Sequence, residues 1–171
     1  DFGGETALPL VDKYDNLVVV RTFSKSRSMA GLRIGYAISN PELIKALNDV
    51  KYSYNSYTMN RPSLVLGVES IHDDAYFREK VGQIIATRER FVKEIAELGF
   101  TCLPSSANFV FATHESIPAK EIFAAAKENN IYVRYFDKPR IDNYLRISIG
   151  TDAEMDAFVA FLKGYVETKQ N

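Results

Sequence analysis

Phe77, Val81, Ile84, Ile85, Phe91, Val92, Ile95 and Leu98 recur at spacings of three, four and seven. That is one apolar stripe along a single long helix. A helix with one stripe must lay it against another layer of structure. Gly99 stands where a left-handed C-cap ends such a helix. Asp73 and Asp74 mark a break before it, because paired Asp favours caps and turns. The stretches on either side must therefore supply the layers.

Upstream, Leu17 to Phe23 is a continuous apolar, β-branched run, which predicts a strand covered on both faces. Ser24 to Gly31 is polar and without period, a loop. Arg33 to Ser39 reads as a second strand. Asn40-Pro41-Glu42 opens a helix, with Leu43, Ile44 and Leu47 as its buried face. Tyr52 to Asn60 has no period and reads as an irregular connection, and the chain turns helical again from Pro62. Downstream, Ala107 to Ala112, Ile131 to Tyr135 and Tyr144 to Ile149 read as strands. Pro118 to Asn129 reads as a helix with Ile122, Phe123 and Ala126 inward. Thr151-Asp152-Ala153-Glu154 is a capping box for a last helix that turns Met155, Phe158, Val159 and Leu162 inward. The second half thus reads as a βαβ-type unit with strands at its far side. The alternation predicts α/β or α+β layers, with a boundary inside the helical stretch that divides residues 1–70 from 71–171.

Composition narrows the function classes. The 171 residues are 46% hydrophobic and 25% charged, which excludes a disordered tail, a collagen-like repeat and a coiled-coil rod. Lys plus Arg is 21 against 22 Asp plus Glu, so no electrostatic case exists for nucleic acid or an anionic membrane. One cysteine, Cys102, allows no internal disulfide. Apolar runs fall far short of the roughly 20 residues that span a bilayer. The sequence opens on Asp1-Phe2-Gly3-Gly4 without an initiator Met and reads as one entered part-way.

Chemistry concentrates between Thr22 and Tyr36. Lys25 follows directly on a buried-looking strand, where open α/β sheets place ligands. Desolvation there would lower its pKa and make it a carbonyl-reactive amine. Ser24 and Ser26 add hydroxyls, and Arg33 adds a planar fork suited to an oxyanion. Gly31 and Gly35 would let backbone pass close to a ligand or a strand. The set suits a phosphorylated aldehyde. A solvated surface lysine, or a polyanion patch of Arg21, Lys25, Arg27 and Arg33, are the plainer alternatives.

Ser24-Lys25, followed by Gly31-Leu32-Arg33-Ile34-Gly35-Tyr36, resembles the cofactor-lysine signature of fold-type I pyridoxal-phosphate enzymes, the aspartate aminotransferase superfamily, and its histidinol-phosphate aminotransferase branch in particular. The resemblance implies an α/β fold: part of the PLP-transferase large domain, plus a complete α+β C-terminal small domain. It implies Lys25 as the Schiff-base lysine and proton shuttle of pyridoxal 5'-phosphate, with Ser24 and Arg33 on the cofactor phosphate. Ser26 and Arg27 stand where many members have a small or aromatic residue, and their roles stay open. Asn143 to Gly150 and Ile131 to Phe136 resemble two strands of the same family. By that resemblance Arg146, assisted by Arg134, binds the anionic group of the substrate. The implied reaction is L-histidinol phosphate plus 2-oxoglutarate to imidazole-acetol phosphate plus glutamate, in a cytoplasmic homodimer without nucleic-acid or membrane partners. A threonine-phosphate decarboxylase-like enzyme and an aromatic aminotransferase are the alternatives within the family. A non-catalytic folded fragment, lacking an upstream half of the active site, and an unrelated α/β ligand-binding module are the alternatives outside it.

The remaining candidates are plainer. His72 and His114 are isolated and suggest no metal set, each a solvated or satisfied histidine. Cys102 reads as a small core residue and Asn108 as structural. Tyr52, Tyr54, Tyr57 and Asn60 are candidates for a pocket mouth.

Overall fold

Two asparagines open the helices of the first half. In the computed structural model, which describes residues 1–170, the chain divides into two compact units. One is Gly4–Lys80, and the other joins Asp1–Gly3 to the chain from Val81 onward. The Gly4–Lys80 unit holds α1 (Leu8–Val11), β1 (Val19–Thr22), a 3-10 turn (Ala30–Leu32), β2 (Gly35–Ile38), α2 (Pro41–Tyr54) and α3 (Arg61–His72). Asn40 Oδ1 accepts the Leu43 N–H at 2.9 Å, and Asn60 Oδ1 accepts the Ser63 N–H at 2.8 Å. Each Asn satisfies one of the donors a helix start leaves free, and each is followed by proline in the first turn.

β1 and β2 form a two-stranded antiparallel ladder, from Val19 opposite Ile38 to Thr22 opposite Gly35. A Cβ on Gly35 would lie 3.1 Å from the Arg21 carbonyl oxygen, so the close approach expected of this glycine is present. The two-sided burial expected of β1 is not. Its residues alternate between half-buried and exposed, and Val20 is 66% exposed. A β-branched run records that a strand suits packing, not that a second layer lies on it. The same holds for α2, where Leu43 and Ile44 are half-buried but Leu47 is exposed. Tyr52–Tyr54 are also helical rather than irregular. Asn55 N–H closes the last turn on the Lys51 carbonyl at 2.8 Å, which leaves residues 55–60 as the connection.

The striped helix is α4 (Asp74–Ala96), and the boundary between units falls within it. Asp73 ends α3, and its Oδ1 accepts the Tyr76 N–H at 3.3 Å, the break the paired Asp predicts. Gly99 has φ +84° and turns the chain into β3 (Phe100–Cys102). Then follow β4 (Phe109–His114), α5 (Ala119–Glu128), β5 (Arg134–Tyr135), β6 (Leu145–Ser148) and α6 (Asp152–Gln170). The sheet order is β3-β4-β6-β5, and every neighbouring pair is antiparallel. β4 and β5 therefore run parallel with β6 between them, so the βαβ unit read from the sequence has a strand inserted in its middle. β3 is an element the sequence did not reveal, and the strand expected from Ile131 shrinks to two residues. The fold is mixed α/β.

Phe91, Ile95, Val110, Ile122, Leu145, Ile147 and Leu162 are at most 2% exposed and join α4, the sheet, α5 and α6 in one core. Each such side chain contributes about 1.5–3 kcal/mol by burial. Phe91 stacks on Phe158 at 5.9 Å. The inward face of α4 also carries polar groups. Thr87 Oγ1 donates to Asp152 Oδ1 at 2.8 Å. Arg88 Nη1 donates to the carbonyls of Ala107 at 2.8 Å and Phe2 at 3.0 Å. Arg90 bonds Glu94, Asp152 and Asp156. The Thr87 hydroxyl, and then Arg90, hold the Asp152 carboxyl below its ordinary range. The capping box is formed: Glu154 Oε2 accepts from the Thr151 N–H at 2.7 Å and from its hydroxyl at 2.9 Å. Met155, Phe158 and Leu162 point inward as the pattern predicts. His114, 3% exposed, donates or accepts at three backbone groups, those of Leu98, Ser116 and Ile117. It is a satisfied core histidine.

Candidate functional site

Thr22 lies opposite Gly35, and Phe23 N–H donates to the Ile34 carbonyl at 3.1 Å. Ser24 and Lys25 on one side, and Arg33 on the other, therefore leave the ladder at the same end. The loop between them is a closed turn. Met29 N–H donates to the Phe23 carbonyl at 3.1 Å, and Ser28 N–H donates to the Lys25 carbonyl at 3.0 Å. Ser28 and Arg33 have φ values of +55° and +57°, a region that non-glycine residues occupy at a cost of about 1–3 kcal/mol and that clusters at functional sites. Arg33 Nη1 donates to the Ala30 carbonyl at 3.0 Å, which leaves the rest of the guanidinium exposed. Ser24 is half-buried. Lys25 is exposed, so this unit does not itself supply the desolvation the sequence suggested. An added Cβ on Gly31 would meet open space, so no close approach requires that glycine here.

Arg134 and Arg146 belong to the other unit. They face each other directly across β5 and β6. Both guanidinium carbons lie over the Phe136 ring, at 5.2 and 5.8 Å, and that of Arg146 also lies 5.5 Å from Phe109. Among the described residues neither has a carboxylate partner. Like charges directly opposite on a sheet repel, and neither strand provides an anion to offset the pair. The Asn108 backbone carbonyl accepts the Ile149 N–H at 2.9 Å. Tyr52, Tyr54 and Tyr57 are exposed, and Asn60 is spent on its cap. Cys102 is half-buried, and burial pushes its thiol up to about 11. No group of three His, Cys, Asp or Glu among the described residues could hold a metal, and no helix among them is long and apolar enough to cross a membrane.

The family model for aminotransferases of class I and II matches residues 1–162. The chain belongs to that family. It is 50% identical over 159 residues to histidinol-phosphate aminotransferase of Brachyspira hyodysenteriae, a match covering 93% of this chain and 45% of that protein. The fold matches the histidinol-phosphate aminotransferase of Clostridium acetobutylicum with a TM-score of 0.86, covering 95% of this chain and 49% of that one at 24% identity. The Sinorhizobium meliloti histidinol-phosphate aminotransferase, solved in complex with pyridoxal 5'-phosphate, matches with a TM-score of 0.77 at 28% identity, covering 90% of this chain and 42% of that one. The chain thus spans less than half the length of these relatives.

The donor set of the loop, one amine, one hydroxyl and one guanidinium at the same ladder end, is chemically suited to a phosphorylated aldehyde such as the pyridoxal 5'-phosphate of the Sinorhizobium meliloti structure. What holds that loop was not read from the sequence. Ser63, fully buried in α3, donates from Oγ to the Leu32 carbonyl at 2.8 Å. One turn on, a Cβ added to Gly67 would lie 2.9 Å from Ile34 Cδ1. Ser70 follows on the same face and meets Arg27. The signal was present as small residues at helical spacing among Leu, Val and Ile.

Proposed function

We propose that the chain serves pyridoxal-phosphate-dependent amino transfer from L-histidinol phosphate to 2-oxoglutarate, giving imidazole-acetol phosphate and glutamate. The observation that carries this is the lysine, serine and arginine leaving one end of the β1–β2 ladder, in a chain half identical to a histidinol-phosphate aminotransferase. When bound, pyridoxal phosphate supplies an electron sink for the substrate carbon. Lys25 Nζ would hold the cofactor and, once released by the donor's amine, would carry the proton from the donor's carbon to the cofactor, and in the second half-reaction from the cofactor to the former 2-oxo carbon of the acceptor, as general base and acid. Ser24 Oγ and the Arg33 fork hold the cofactor phosphate through charge-assisted bonds. Arg134 and Arg146 take the substrate's anion, and two adjacent guanidiniums favour a phosphate dianion over a single carboxylate. The proposal includes a homodimer in the cytoplasm. Exposed Leu64, Val65, Leu66, Val68 and Ile71 on α3 support a covering partner.

The exposure of Lys25 favours a second reading, a folded chain that takes up no cofactor. Titration with pyridoxal phosphate, followed by borohydride reduction and peptide mapping, separates the two. Yellow protein with the label on Lys25 supports the first reading, and colourless protein identical to Lys25→Ala supports the second. Histidinol phosphate, threonine phosphate and phenylalanine are then compared as donors. Preference for an unphosphorylated donor removes Arg134 and Arg146 as phosphate ligands.

A further inference from the structure

Arg27 is not used by the chemistry above, yet its side chain is held more tightly than that of Lys25. Its guanidinium carbon lies 4.1 Å from the Phe77 ring centroid and 5.4 Å from that of Phe23. Nη1 donates to the Ser70 carbonyl and, at 3.3 Å, reaches Ser70 Oγ. Among the described residues it makes no ion pair with a carboxylate, although Glu69 and Asp73 line the same cleft of about 260 Å³ with Tyr76, Phe77 and Lys80. Its contacts are therefore two aromatic rings near the guanidinium carbon and one N–H directed at Ser70, made at once by different parts of one extended planar head, which lysine's point charge does not reproduce.

The position of these contacts gives them meaning. The loop leaves the ladder at Phe23 and closes on itself at Ser28 and Met29. Beyond the 3-10 turn, α3 fastens the chain through Ser63 and through the close approach at Gly67. On the near side Arg27, two residues after Lys25, makes a contact to both α3 and α4. The Lys25 carbonyl is tied to Ser28, the residue after Arg27. Any movement of Arg27 is thus passed to the Lys25 backbone through one short turn.

We propose that Arg27 is a positioning residue that sets where Lys25 Nζ can reach, by clamping the lysine loop onto Phe77 and the Ser70 carbonyl. This rests on the reading of Lys25 as the cofactor lysine. It assigns no contact between Arg27 and the cofactor.

The test compares two ligands by equilibrium dialysis. Pyridoxal phosphate can bond to Nζ. Pyridoxine phosphate has the same ring and phosphate but an alcohol in place of the aldehyde, and cannot. In Arg27→Lys and Arg27→Gln the affinity for pyridoxine phosphate stays within about twofold of wild type. Affinity for pyridoxal phosphate falls by about tenfold or more, since small misplacements of a reacting group have effects of that order. Phe77→Leu, which leaves the arginine in place, shifts the ratio in the same direction by less. In the cofactor-free chain the Ser28 amide exchanges faster in all three variants, while the β4 and β6 amides, the control for folding, do not change. A merely structural role lowers both affinities alike and leaves their ratio at the wild-type value, which overturns the proposal. If wild type and Lys25→Ala take up pyridoxal phosphate equally, the reading of Lys25 fails and this inference falls with it. If Lys25→Ala loses the ligand while Arg27→Lys keeps the wild-type ratio, only the role of Arg27 is wrong.

Discussion

Replacing Arg134 or Arg146 by glutamine separates two quantities that usually change together, stability and anion affinity. The two residues stand directly opposite on β5 and β6 and are exposed. At a separation of about 6 Å in a water-like dielectric their repulsion is about 0.7 kcal/mol. Each also rests on aromatic rings, Phe136 beneath both and Phe109 beneath Arg146. Such exposed cation–π contacts contribute about 0.5–1 kcal/mol. Losing Arg134 removes a repulsion and an attraction of similar size, so that variant stays within about 0.5 kcal/mol of wild type, whereas losing Arg146, which rests on two rings, costs at most about 1.3 kcal/mol. Nothing offsets the loss for a bound dianion. One charge-assisted hydrogen bond contributes about 1.5–3 kcal/mol, which is about 10- to 150-fold in the dissociation constant. The assay is a titration with inorganic phosphate at low ionic strength, following the backbone amides of β5 and β6 by heteronuclear NMR. These amides report on this pair alone, because Ser24 and Arg33 have resonances of their own. The reasoning is refuted if the midpoint at β5 and β6 is the same in both variants as in wild type. It is equally refuted if the Arg134 variant unfolds at markedly lower urea.

Three further outcomes follow from local geometry. Thr151→Ala removes the capping box and lowers stability by about 0.5–2 kcal/mol at neutral pH. The Thr151 backbone N–H, and then its hydroxyl, hold the Glu154 carboxyl below its ordinary value, so the part of the cap that uses the carboxylate is present above the unfolded carboxylate pKa of about 4.3. That part is lost as pH falls through the folded value, but Thr151→Ala removes only the hydroxyl's share of it, so the gap between wild type and variant narrows in acid urea melts without closing, and a gap that widens in acid would contradict the cap. Gly99→Ala meets both a positive φ and a Cβ 2.9 Å from His114 Nε2, and loses about 1–3 kcal/mol in the same melts, whereas an unchanged midpoint would show that the turn relaxes freely. Cys102, its thiol pushed up to about 11, reacts with a disulfide reagent at pH 7.5 about two orders of magnitude more slowly in native protein than in urea. Equal rates would mean that the burial is not maintained in solution.

Signals carried by one to four residues were legible in the sequence. Asn40 with Pro41, the Asp73–Asp74 break, Gly99 and the Thr151–Glu154 box act through backbone groups within one turn, and the structure has each of them. The polar, non-periodic stretch from Ser24 was legible as a loop because it interrupts two strand patterns within a few residues. Coverage was not. The β-branched run at Val18–Val20 and the apolar positions of α2 say what a residue can pack against, and cannot say whether a second layer is there. β3 was missed because three residues carry no period. Arg27 was left open because its partners, Ser70 and Phe77, lie more than forty residues away in sequence. Only the packing of α3 and α4 against the loop brings them together.

The two units differ most in how much apolar surface each removes from water. The unit from Val81 onward has a core joining α4, the sheet, α5 and α6, with Phe91, Ile95, Val110, Ala112, Ala126 and Leu162 at 0% exposure. In Gly4–Lys80, Phe23 and Ile34 are the buried apolar side chains among the described residues, while five large apolar residues of α3 alone are exposed. Local opening free energy follows buried contacts. The amides of β1 and β2 are therefore expected to exchange through openings well below the global unfolding free energy, and those of β4 and β6 near it. A ligand that binds only the closed loop stabilises it by RT ln(1 + [L]/Kd), about 2.7 kcal/mol at a hundred times Kd. Added pyridoxal phosphate is then expected to slow exchange at Val19 to Ile38 and to leave β4 and β6 unchanged. The measurement is hydrogen exchange with and without the cofactor. Equal opening energies for β1 and β4 without ligand would refute the argument from burial. Protection that rises only at β4 and β6 would refute the placement of the cofactor on the lysine loop.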